Sequence, residues 1–159
     1  MTQIKNKMQA GFTIIELLIV IAIIGILATL VLTNFQGAQA RGRDSVRQSD
    51  INAVFTKLEE YYTTNQNEYP VGTAITSANA TTVFPGIDPQ SLVDEDGDDI
   101  SVTYADTTTA PTPTPDTDTE YILAFYGSGC SNAAPCDKYV LSTFQETDEA
   151  NPIRKNSLN

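Results

Sequence analysis

KNKMQAGFTIIELLIVIAIIGILA, residues 5–28, joins a short basic stretch to an apolar run broken only by Thr13 and Glu16. The run reaches residue 32, twenty-one positions from Phe12, with Thr29 as its remaining polar member. At about 1.5 Å rise per residue it spans about 31 Å as a helix, close to the roughly 30 Å hydrocarbon core of a bilayer. Ile and Val are abundant in it, but a lone strand cannot satisfy its backbone in lipid, so the segment is predicted to be helical. A secretory signal has a shorter apolar region, ends at a small-residue cleavage site and is lost on maturation. Here the pattern instead continues into further helix.

Glu16 is chemically out of place, because a carboxylate inside a bilayer-spanning helix costs up to about 3 kcal/mol on insertion scales. A positive group about 4 Å away would contribute roughly 4 kcal/mol at an effective dielectric near 20, enough to offset that cost. The alternative is a carboxylate that sits near the membrane surface, solvated or protonated.

The combination of basic leader, Gly11-Phe12 junction, Glu16 and unbroken apolar run resembles the prepilin signature of the type IV pilins and type II secretion pseudopilins. That resemblance implies cleavage after Gly11 by a membrane prepilin peptidase, N-methylation of Phe12, and retention of the apolar helix. It also implies a role for Glu16 in assembly, where the amine freed at Phe12 of an adjacent copy displaced along the axis offers it a partner and sets the register, and a head on the extracytoplasmic side of the cell membrane, carried into a surface filament. The implied partners are copies of this chain, minor pilins, an assembly ATPase and platform machinery. Charge alone does not orient the segment, since Arg41, Arg43 and Arg47 compete with Lys5 and Lys7. Thr33 stands where many filament pilins have a proline, so local unwinding of the helix is not carried over.

The chain has 159 residues, a net charge of −11, no His and no Trp. Without imidazole it lacks the commonest general base and a common metal ligand, and no nucleophile–base pair is recognisable, so an enzyme is not expected. The acidic balance also excludes direct grip on a polyanion by the head, so no nucleic-acid binding is expected of it. Cys130 and Cys136 are the two cysteines, close together in a stretch with Gly, Ser, Asn and Pro. An even count behind an export segment suits a structural disulfide; the alternative is two free thiols in a reducing compartment. Two thiolates without His leave a zinc site short of ligands.

Beyond residue 37 the periodicity becomes one-sided: Ile51, Val54, Phe55, Leu58, Tyr61 and Tyr62 recur at steps of three and four. No proline interrupts 12–69, so one continuous helix is predicted, ended by Pro70. Arg41, Arg43, Asp44, Arg47, Asp50, Glu59 and Glu60 are placed mostly off its apolar stripe. The arginines there could meet lipid headgroups, acids on neighbouring copies, or simply solvent. Strands are predicted over 100–105, 121–126 and 139–144, each rich in aromatic and β-branched residues. Between the first two, 107–119 contains APTPTPD and is predicted to be an exposed, extended excursion. The predicted organisation is a leader at 1–11, a transmembrane and filament-core half-helix at 12–35, an amphipathic half at 36–69, a loop and sheet head at 70–145, and a polar, mobile tail at 146–159. The fold class is α+β, a long helix packed on a small antiparallel sheet.

The acidic run 94–99 raises calcium, which prefers clustered oxygens, with Asp94, Asp96, Asp98 and Asp99 as candidate ligands; major secretion pseudopilins resemble this in carrying a loop calcium site. The spacing is not that of an EF-hand, and a solvated acidic loop is the alternative. A filament subunit is the leading reading. The alternatives are the major pseudopilin of a type II secretion system and a membrane-anchored monomeric binding protein. The cysteine loop leans towards a pilus, and the acidic loop towards a pseudopilus.

Overall fold

The structure is a computed structural model that describes residues 12–71, 75–115 and 121–159. The expected leader, with Gly11, lies outside those residues. Two compact units divide the chain, one up to Gln39 and one from Ala40 to Asn159.

Helix α1, Ile14–Thr64, begins in the first unit and supplies all the regular structure among its described residues. Its backbone stays helical through residue 33, as expected where no proline stands. Sixteen large apolar side chains from Phe12 to Phe35 are each more than half exposed, the most covered being Val20 at 51%. An all-round apolar helix with nothing against it is the pattern of a membrane span or of a bundle core. Covering these side chains fully would contribute on the order of 20 kcal/mol, far above the cost of one carboxylate.

In the second unit α1 buries Asp44, Arg47, Ile51, Val54 and Leu58, at steps of three and four. The buried stripe therefore runs on into two charged residues, which corrects the expectation that Asp44 and Arg47 lie off it. The helix also stops short of Pro70. Thr64 Oγ1 and Asn65 Nδ2 bond back to the carbonyls of Glu60 and Tyr61, and Gln66 and Asn67 turn left-handed. Side chains that compete for backbone carbonyls end a helix before a later proline has to.

A one-turn helix α2, Ala80–Val83, and a 3-10 turn, Pro89–Leu92, follow. Asp88 accepts from Gln90 N at 3.0 Å and so caps the second of these. The sheet has four strands in the order β1 Ser101–Asp106, β2 Tyr121–Gly127, β3 Lys138–Thr143, β4 Ile153–Asn156. Three strands in an antiparallel sheet were expected; β2–β3 and β3–β4 are antiparallel, but β1 and β2 are parallel. Parallel neighbours need a crossover of a dozen or more residues, and the 107–120 connection has that length. Strand β4 falls in the expected tail. Its Ile153 and Lys155 are half-buried, and Lys155 Nζ lies 5.5 Å from the centre of the Phe55 ring on α1. A long aliphatic stem with a charged end serves an inward strand position while reading as solvent-facing in sequence.

Register places Val102, Tyr104, Leu123, Phe125, Tyr139 and Leu141 on one face, packed with Ile51, Val54 and Leu58 of the helix. Tyr69 sits at the centre of an aromatic cluster, 4.7 Å from Tyr62, 4.9 Å from Tyr139 and 6.0 Å from Phe125. On the opposite face Ala124, Val140 and Ser142 are also buried. The Thr-Pro segment crosses there: Arg154, paired with Ser142 across β3–β4, donates to Pro113 O at 3.0 Å. Within it Pro111, Pro113 and Pro115 are half-buried and Thr112 and Thr114 exposed. The excursion is exposed over 108–110 as expected, but over 111–115 it covers the sheet with alternate threonines turned out; residues 116–119 lie outside those described.

Candidate functional site

The N-terminal end of α1 carries the first candidate. Phe12 is 86% exposed, and Thr13 precedes the first helical turn. Thr13 N and Oγ1 both donate to Glu16 Oε2, at 2.8 and 2.7 Å, while Thr13 Oγ1 accepts from Glu16 N at 3.2 Å. This is a capping box, in which residues three apart satisfy each other's end groups. Glu16 is therefore exposed but partnered within its own chain. The Thr-x-x-Glu spacing that forms it stands in the sequence at residues 13 to 16.

A charged cluster forms the second. Arg47, 2% exposed, places NH1 3.0 Å from Asp44 Oδ1 and 2.8 Å from Glu146 Oε1, with NH2 3.3 Å from Glu95 Oε1. Arg43 Nε donates to Glu146 Oε1 at 2.7 Å, its NH2 meets the other oxygen, and Nε lies 3.5 Å from Glu95. Asp44 accepts from Glu146 N, Thr147 N and Thr147 Oγ1 at 2.9, 3.0 and 2.6 Å. Burial pushes the Asp44 carboxyl up, but those hydrogen bonds and that from Arg47 outweigh it and hold it below the usual range. The Arg43 guanidinium holds Glu146 low, with Arg47 adding to it against a smaller effect of burial. Two of the three arginines thus tie the helix to the 94–99 turn and to the segment after β3, while Arg41 is exposed. Nothing local in the sequence links Arg47 to a glutamate ninety-nine positions away.

Cys130 and Cys136 form a disulfide that closes the β2–β3 connection. Both are 2% exposed, and Cys136 O accepts from Tyr69 N at 3.3 Å, so the staple packs against the chain just beyond α1. At the exit of β2, Gly127 has a φ of 156° and a Cβ there would lie 2.1 Å from Asp137 Oδ1, so any larger residue has to push that side chain aside.

The acidic run is a tight turn. Asp94 Oδ1 accepts from Asp96 N at 3.0 Å and Asp98 N at 2.8 Å, and Gly97 takes a positive φ of 91°. Asp99 Oδ1 accepts from Ser77 N at 2.6 Å, and Glu95 belongs to the arginine cluster. Among the described residues no three carboxylates converge as metal ligands; the four candidate aspartates are adjacent in sequence but are not gathered around one point.

A profile described as the prokaryotic N-terminal methylation motif matches residues 6–32. The chain is 42% identical over 57 residues to the type IV major pilin protein PilA of Myxococcus xanthus, covering 36% of this chain and 26% of that one. It is 39% identical over 66 residues to the type II secretion system core protein G of Aeromonas hydrophila, covering 42% and 46%. With a fimbrial protein of Neisseria meningitidis serogroup A the identity is 36% over 92 residues, covering 58% and 54%. The matched stretch thus spans between 26% and 54% of the length of these relatives. No solved structure matches the chain.

Proposed function

We propose, on the premise that its N-terminal segment makes this chain a type IV pilin or pseudopilin, that it is the structural subunit of an extracellular filament. The observation that carries this is the first half of α1, whose apolar side chains, nearly all within the methylation motif, are exposed all round. Lipid can cover them before assembly and neighbouring helices afterwards, so the segment never faces bulk water. The chain is inserted in the cell membrane with its head extracytoplasmic, cut between Gly11 and Phe12, and methylated at Phe12. Subunits then add with the Phe12 amine of one copy meeting Glu16 of another. The partners are further copies, minor pilins, a prepilin peptidase, and a separate ATPase and platform that supply the work. No catalytic role is assigned to the chain, and its acidic head makes no direct contact with nucleic acid.

Similarity to a type II secretion core protein supports a second reading, the major subunit of a short secretion pseudopilus. Calcium bound by Asp94, Asp96, Asp98 and Asp99 is proposed only with that reading, and Asp94 would bring to it a carboxylate whose Oδ1 already accepts from Asp96 N and Asp98 N. Electron microscopy of cells and sheared material labelled with antibody to the head tests both. Long surface filaments carrying label support the pilus. Label confined to the membrane, with no filament on overexpression, excludes both filament readings.

A further inference from the structure

We propose that Thr13 is a positioning residue for subunit addition, holding the Glu16 carboxylate in the orientation from which a neighbouring copy's freed Phe12 amine can share it. The proposal rests on the filament reading above. All three bonds of the capping box involve only Thr13 and Glu16, on the mature side of the Gly11-Phe12 junction, so cleavage there removes none of them. Both donations fall on Oε2, which leaves Oε1 to accept from outside the chain. Glu16 would otherwise sample many rotamers, and ordering a long side chain at the moment of association weakens binding. The box orders it beforehand and turns it back towards Phe12, where the new amine of each copy arises. Assembly then adds a partner to Glu16 without first breaking one.

The test compares cells expressing wild type, Thr13→Val, Thr13→Ser and Glu16→Ala as sole subunit. Three readouts are taken: membrane abundance, the fraction cut at Phe12, and the ratio of filament to cut membrane pool. Val keeps the shape and the backbone N–H but removes the hydroxyl. It is expected to leave abundance and cleavage unchanged and to lower the filament ratio about fivefold, the factor that one lost helix-cap oxygen carries. Ser restores the hydroxyl and is expected within twofold of wild type. Normal filaments from Val, with none from Glu16→Ala, overturn the proposal and leave the filament reading standing. Normal filaments from Glu16→Ala remove the pairing on which it rests. Slow cleavage of Val, with normal assembly of the cut fraction, moves Thr13 into recognition by the peptidase and also overturns it. A loss of membrane protein in Val does the same, assigning Thr13 to insertion.

Discussion

At the scale of single residues, Arg47 decides most in the head. Its side chain is 2% exposed, yet its charge meets three acids from three segments. Removing one member of a buried charge group leaves the others desolvated and unpaired, which costs more than the group contributed when whole. Arg47→Ala is expected to destabilise the head by about 3 kcal/mol, read as a lowered urea midpoint of the detergent-solubilised protein. Arg47→Lys should lose part of this, because an ammonium cannot span the same oxygens as a guanidinium fork. An Ala variant as stable as wild type would remove the cluster from the account. The same group sets the acid response. Asp44 and Glu146 are held below their unfolded values, so their contribution is complete above those values and is lost as pH falls through the folded ones. Asp50 acts in the opposite sense: burial raises it, so protonation at low pH favours the folded state and offsets part of the loss. With two depressed groups against one raised, stability should decline below about pH 5. Glu146→Gln should flatten that decline, as followed by thermal melting across pH. Sequence gave no access to this cluster, since Glu95 and Glu146 are far along the chain and only the folded turn brings them to α1. The step of three and four from Ile51 back to Arg47 and Asp44 was readable, but a charged residue on a buried stripe runs against the expectation that charge marks the solvent side.

At the scale of elements, the β2–β3 connection is closed twice, by the disulfide and by Gly127 against Asp137. Closing a loop of this length restricts the unfolded chain by about 2 kcal/mol, so Cys130→Ser with Cys136→Ser should lower the melting temperature while leaving the sheet's circular dichroism intact. Gly127→Ala should cost about 1–3 kcal/mol, as a new methyl group forces Asp137 aside, and chemical unfolding measures it. A neutral Gly127→Ala would show that the Asp137 side chain moves freely. Elements governed by local patterning were legible: the membrane-length segment, the 51–62 stripe, and the strands over 100–105, 121–126 and 139–144, each within about two residues. Those governed by distant contacts were not. The parallel β1–β2 pair depends on where the Thr-Pro crossover lies, and β4 depends on Phe55 and Tyr139 accepting a strand whose own composition, Ile-Arg-Lys-Asn, reads as solvent. The helix end moved because Thr64 and Asn65 supply side-chain competitors four residues from their carbonyls.

At the scale of the whole molecule, the two units differ in what they lack. The unit from Ala40 onward closes its own core, with Leu58, Leu123, Phe125, Tyr139 and Leu141 fully buried. The unit up to Gln39 buries none of its large apolar side chains among the described residues. A chain so divided is folded at one end and unfinished at the other until lipid or further copies supply the missing surface. The prokaryotic methylation motif lies within that unfinished end, at residues 6–32, and so its chemistry was legible in the sequence while the head's was not. The central claim is that this segment is kept and becomes the filament's interior. Intact-mass measurement of the subunit in filaments sheared from the cell surface tests it most directly. The account predicts a chain beginning at N-methylated Phe12 and running through the whole of α1. A mass reporting a cut beyond residue 28, or an uncut leader in assembled filaments, would contradict it.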